Sequence, residues 1–378
     1  MAATPISIAC SGEGNAMNPT RRDFALGLAG VPLVCFPAHA KTRLDAVIGP
    51  GEHGDMPRFP SLRAFLDSDI GRAHMPVSVR IVAGEHWGQT IVERPNLRLF
   101  GDGRDRTFLR AGAYAGAIAP DGKPYGTFRS AVLDVRAPGF HMQDLSIENA
   151  FDAWSEMRKP DGLKADEGGS QQAIALTLGD TSDRATILRC GMISHQDTLF
   201  CAGGRALFVD CRMSGSYDFV FGGAAARFER CEIVSRPRTE PVEGYIAAPS
   251  TMLDRPAGLV FDRCALVAEA GVPDGSVFLG RPWRASRRVA GESVPDMDSV
   301  GMAAYLRCLM GRHIAPSGWT RMWFGTPRRW FEPEDARFGE YANSGPGALG
   351  KRRGLALTDR QAEALSRSRM FGDWSPEI

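Results

Sequence analysis

Apolar residues along this chain come in short bursts that keep one phase around cysteine, with few stretches of helical period. The segments "ILRCGM", "FVDCRM", "FERCEI", "FDRCAL" and "YLRCLM" each carry an apolar or aromatic residue three before the cysteine and an apolar residue two after it. The triplets are Ile187/Cys190/Met192, Phe208/Cys211/Met213, Phe228/Cys231/Ile233, Phe261/Cys264/Leu266 and Tyr305/Cys308/Met310. "MQDLSI" keeps the same spacing through Met142, Leu145 and Ile147. Cys190, Cys211 and Cys231 lie 21 and 20 residues apart, with longer gaps to Cys264 and Cys308, as inserted loops would give. A short strand recurring at this period predicts a solenoid, because one coil cannot bury its apolar face without neighbours. Strand alternation turns each cysteine and the residue two later to the same inward side. Most of these cysteines therefore read as small core residues rather than halves of disulfides. The predicted fold is all-β, a right-handed parallel β-helix. A β-sandwich with irregular loops is the weaker alternative, since it does not require equal phase.

Other patterns frame the solenoid. "SLRAFLDS" (61–68) predicts a short N-terminal capping helix, and "LTDRQAEALSRSRMF" a C-terminal one with Thr358 and Gln361 spaced as a capping box. Glycine- and proline-rich stretches near 115–126, 158–170 and 235–258 read as loops that would build a groove. Residues 1–40 stand apart: paired Arg21 and Arg22, a short apolar stretch and Ala38-His39-Ala40 have the layout of a cleavable twin-arginine export signal. Met17 is well placed as the start, so that residues 1–16 need not be translated; Cys35 fits a lipid-attachment box poorly. A periplasmic or secreted protein is expected, with residues 41–378 forming a single β-helix domain. No apolar run beyond the N-terminus is long enough to span a membrane, and a net charge of +1 makes no electrostatic case for nucleic acid. No CxxC pair or Cys/His cluster points to a metal site.

The phase of the repeat brings two carboxylates together. Asp197 follows Cys190 by seven residues and Asp218 follows Cys211 by seven, so stacked cysteines put both aspartates at one position of consecutive coils. Adjacent strands are about 4.8 Å apart, and like charges at such range push one pKa upward. Asp218 sits within "GSYDFVFGG", a run that otherwise reads as buried strand, where a charge needs a partner or a use. A pair with separated protonation states suits combined nucleophilic and acid/base chemistry. Two exposed loop acids are the competing reading.

The motifs around the pair resemble the pectin methylesterase (pectinesterase) family. They are "SQQAIAL" (170–176), "SHQDTLF" with Gln196 and Asp197, "GSYDFVFGG" with Asp218, and "LGRPWR" (279–284), in the family's order and at similar spacing. "VRIVAGEHWGQTIVERPNLRLFGDGRDRT", "IAPSGWTRMW" and "EYANSGPGA" extend the likeness over roughly 80–350. The resemblance implies that Asp218 is the nucleophile toward a galacturonate methyl ester, forming an acyl-enzyme. Asp197 would give its proton to departing methanol and then act as base on water. Gln172 and Gln196 would donate to the oxyanion, Arg281 would hold Asp218 ionised and oriented, and Trp283, Phe200, Phe221 and Tyr217 would contact sugar. It implies pectin (homogalacturonan) as partner, a monomer and no cofactor. Three positions depart from the family pattern: Phe200 where relatives carry Tyr, Tyr217 in place of a smaller residue, and Gly223 in place of Asn. A longer segment, "RASRRVAGESVPDMDSVG", also follows "LGRPW" at a groove edge.

Other candidates read blandly. His195 lacks a nucleophile motif and is expected to be structural or at the rim. "LFGDGRD" (99–105) reads as a turn between coils, and Asp296 with Asp298 are too few for a calcium loop. Trp319, Trp323 and Trp330 could form a sugar platform, with core packing the competing expectation for two of them. Solenoids also host polygalacturonases and pectate lyases, and a non-catalytic polysaccharide-binding or envelope protein, or an esterase for another acyl group, is a further alternative.

Overall fold

The computed structural model describes residues 43–378 apart from 52–53, 74–75, 160–170, 240–241 and 326–327. The export-signal reading of 1–40 and most of the 158–170 loop lie outside the described residues. Within them the chain winds as a parallel β-helix whose coils build sheets of twelve, eight and seven strands. Strands Arg205–Val209, Arg212–Gly215 and Tyr217–Gly222 belong to the three sheets in turn. They pair in parallel with Ala225–Glu229, Glu232–Ser235 and Gly244–Pro249 of the following coil.

The interior consists of side-chain ladders set by this register. Ile187, Phe208, Phe228, Phe261 and Tyr305 are successive partners in the long sheet. The rings of the last four stack with centroids 4.7, 4.7 and 4.5 Å apart. Cys190, Cys211, Cys231, Cys264 and Cys308 form the next ladder; all are buried free thiols, as is Cys201 in the seven-stranded sheet. Each thiol from Cys211 onward donates to a carbonyl of the preceding coil, Cys211 to Ile187 and Cys308 to Phe261 at 3.4 Å. A small, weakly donating side chain thus fills the corner and meets a polar group there.

The cysteine motif is not one strand, as its alternation suggested, but two strands joined at a corner. The residue before each cysteine, Arg189, Asp210, Arg230, Arg263 and Arg307, has φ between 50 and 53° and turns the chain from the long sheet into the eight-stranded one. Left-handed backbone is uncommon for residues with a Cβ. Several of these outward side chains pair, Arg189 with Asp144 at 2.7 Å and Arg230 with Asp210 at 2.9 Å.

Two other expectations change. The 235–258 stretch contains a strand, Gly244–Pro249, mostly buried in the seven-stranded sheet; its Gly and Pro ends read as loop because pairing on both sides is invisible locally. Each helical segment splits in two. Ser61 caps Leu62–Leu66, followed by Asp69–Arg72, and Phe65 enters the main core. The Thr358–Gln361 capping box is formed and starts Asp359–Ala364, followed by Arg367–Phe371. These C-terminal helices lie on the outer face of the long sheet, where Ala362, Leu365, Met370 and Phe371 pack with Leu207, Val209, Val260 and Leu306.

Candidate active site

The seven-stranded sheet carries the acid pair. Leu199 pairs with Val220 and Phe200 with Phe221, and the same offset of 21 places Asp197 beside Asp218. The Asp197 amide donates to the Tyr217 carbonyl at 3.1 Å. Both aspartates have positive φ, 62° and 47°. That conformation resets the strand's alternation: Phe219 and Val220 both enter the core, while Phe221 joins an outer cluster with Phe200 and Trp283. A carboxylate embedded in an apolar run is thereby kept out of the apolar interior, and Asp tolerates the left-handed region better than the residues around it.

Their surroundings differ sharply. Asp218 receives two hydrogen bonds from Arg281, Nε to Oδ1 at 2.8 Å and Nη2 to Oδ2 at 2.5 Å. The guanidinium is clasped between aromatic faces, its Cζ 4.4 Å from the centroids of both Tyr217 and Tyr245. Burial, the largest single influence, would lower the Arg281 pKa, but the Asp218 charge and hydrogen bonds, with Tyr217 and Tyr245, together raise it. Asp197 has no such partner: burial first, and the Asp218 charge second, push its carboxyl well above the usual range, with Arg281 opposing. One aspartate is held by an arginine, and the other favours its proton.

Gln196 adjoins Asp197, and Gln172 lies one coil earlier, where the Ala173 amide donates to the Gln196 carbonyl at 3.1 Å. Both are half-buried, and neither carboxamide has a partner among the described residues. Phe200, three residues after Asp197, and Trp283, two after Arg281, line a groove of about 530 Å³ together with Phe128, Asp180 and Arg255. Phe128 and Phe200 have centroids 4.9 Å apart, Phe200 and Phe221 4.6 Å, and Phe221 and Trp283 5.8 Å. Phe221 is buried beneath the two groove rings. Gly223 lines the groove as well.

The structure brings Asp197, Asp218 and Arg281 together. Tyr217, besides clasping Arg281, stacks on Arg238 at 4.2 Å. His195 is buried, and burial with the Arg236 charge holds its pKa down to about 3, as suits a structural histidine. Asp296 and Asp298 form a local turn in which the Asp298 amide donates to Asp296. Sequence reasoning missed Tyr245, Phe128 and Arg238. Tyr245 is the register partner of Tyr217, a relation visible only once the 244–249 strand is known.

A family model described as Pectinesterase matches residues 72–356. Pectinesterase A of Dickeya dadantii is 35% identical over 312 residues, covering 80% of this chain and 84% of that protein. Among solved structures, a pectin methylesterase in complex with a hexasaccharide superposes with a TM-score of 0.82 at 32% identity, covering 89% of this chain and 99% of that one. Pectin methylesterase from Yersinia enterocolitica gives 0.77 at 33% identity, covering 84% and 100%. The family model covers most of the chain, and relatives match it in both sequence and fold: this chain belongs to the pectinesterase family.

Proposed function

We propose that this enzyme hydrolyses the methyl esters of galacturonate in pectin, with Asp218 as nucleophile and Asp197 as general acid and base. The observation that carries the assignment is the asymmetry of the pair: Asp218 is bound twice by Arg281, and Asp197 is buried, unpaired and biased toward its protonated form. A carboxylate oxygen of Asp218 attacks the ester carbonyl, and Gln172 and Gln196 donate to the oxygen that gains the charge. The C–O bond to methanol breaks as Asp197 gives its proton to the leaving oxygen, and a mixed anhydride remains on Asp218. Asp197, now charged, takes a proton from water as the water attacks the anhydride. Collapse frees galacturonate and restores both aspartates. Phe128, Phe200 and Trp283 offer faces for sugar rings. The solved relative bound to a hexasaccharide supports an oligosaccharide in a groove of this kind.

The test is methanol release from highly methylated pectin. Wild type should release methanol without new reducing ends or unsaturated products, and Asp218→Asn should lower kcat by about 10³-fold or more. Unchanged release by that variant would refute the assignment. Residues 1–40 are proposed to direct export to the periplasm or beyond, and the mature enzyme to act as a monomer. Mass spectrometry of the N-terminus and light scattering check these.

A further inference from the structure

We propose that Trp323, Trp330 and Arg321 form an accessory sugar-acid platform that carries the groove one coil past Trp283. The inference rests on the pectin reading above. Strands Met322–Phe324 and Arg329–Phe331 form an antiparallel hairpin with Trp323 opposite Trp330. Their centroids are 5.4 Å apart and the two residues are 46% and 44% exposed. In the same segment Trp319 is fully buried, stacked on Phe338 at 4.1 Å. Core packing therefore accounts for one of the three tryptophans and leaves two on the surface. Large exposed aromatics in a cluster mark a binding surface more often than isolated ones do.

The hairpin has a defined place. Gly280 bridges Trp319 in parallel, and the Thr320 amide donates to the Gly280 carbonyl at 3.2 Å. The chain leading into the hairpin is thus the next coil beside the segment bearing Arg281 and Trp283. The hairpin is also anchored. Phe331 is fully buried, and the Arg284 guanidinium, next in sequence to Trp283, lies 4.6 Å from its ring while donating to the Met297, Ser299 and Asp335 carbonyls. A rigid mount lets an exposed ring bind without first being ordered. The coil that follows the ring series Phe128, Phe200, Phe221 and Trp283 thus carries two exposed tryptophans of its own.

The chemistry matches a polyuronate. Tryptophan faces suit the C–H face of a sugar ring. Arg321 lies 4.1 Å from the Trp330 centroid and is half exposed, ready for a free galacturonate carboxylate. Its carboxylate neighbour, Glu332, is 3.9 Å away and is held more closely by Arg353 at 3.0 Å. Because the reaction converts esters to carboxylates, such a platform favours chains already partly demethylated.

The experiment compares wild type, Trp323→Ala/Trp330→Ala, Trp323→Phe/Trp330→Phe and Arg321→Gln. On long, partly demethylated pectin the double alanine variant should raise KM about tenfold with kcat unchanged. Its kcat/KM on a methylated trigalacturonide should stay at the wild-type value, which also shows that it folds. The phenylalanine variant should stay near wild type, and Arg321→Gln should lose its preference for demethylated chains. Retardation in a native gel containing pectin reads binding without turnover, and should fall in the alanine variant. Wild-type KM and retardation in the alanine variant would overturn the platform, as would an equal loss on short and long substrates. A wild type that is retarded yet releases no methanol would sink the esterase reading and leave the platform standing.

Discussion

Two identical side chains at one phase of the coil acquire different chemistry from what touches them. Asp218 has Arg281 at hydrogen-bond distance, clasped by Tyr217 and Tyr245, whereas Asp197 faces burial and its neighbour's charge. The arrangement has a thermodynamic signature. The Asp197 pKa is raised in the folded chain above its ordinary value of 3.8, so between those two values the folded state holds a proton that the unfolded state has lost. Stability contributed by that proton is present below the ordinary value and disappears as pH rises through the raised one. Asp197→Asn removes the ionisation and should abolish turnover. Its melting temperature should exceed that of wild type at pH 8, by a margin that closes toward pH 4. A margin constant across pH would show that Asp197 is not the perturbed acid.

At the scale of the strand, the site depends on close approach between coils. Gly222 ends the strand bearing Asp218 with φ +120°, and a Cβ there would lie 1.9 Å from the Cys201 carbonyl oxygen of the preceding coil. Gly222→Ala should destabilise by about 3 kcal/mol, combining backbone strain with overpacking. Urea denaturation measures it; a loss under about 1 kcal/mol would mean that the coils can part there without cost. The repeat of apolar, cysteine and apolar residues was legible because every coil restates the same inward positions. The single left-handed residue at each corner was not, since Arg at 189, 230, 263 and 307 and Asp at 210 carry no glycine-like mark.

The whole molecule is laced across its long sheet by charge. Asp262, almost wholly buried, accepts from Arg227 and Arg307, and Glu229 joins Arg227 and Arg367 of the last helix. Burial holds His141 and His313 down to about 4, and burial with Arg236 holds His195 at about 3. Between those values and 6.5 the unfolded chain takes up protons that the folded chain refuses, so stability is lost as pH falls through that window. Asp197 runs the other way, one proton against three. The urea midpoint should therefore be lower at pH 5 than at pH 7; an equal or higher value at pH 5 would contradict these burials.

The amino-acid order by itself determined the solenoid, the stacked cysteines, the shared phase of Asp197 and Asp218, the capping box and the family motifs. Each is a local pattern or its repetition at a fixed interval, and burial of one face per coil leaves that trace in any single sequence. The motif resemblance pointed to Arg281 as the partner of Asp218, but only the tertiary structure puts the two in contact, across 63 residues. Tertiary structure also decided that Gly244–Pro249 is a strand, that Tyr217 and Tyr245 form a clasp, and that Trp319 is core while Trp323 and Trp330 face solvent. The reason is common to all four. The energy of each choice lies in contact with another coil, and inserted loops of unequal length remove any fixed spacing by which that contact could be read.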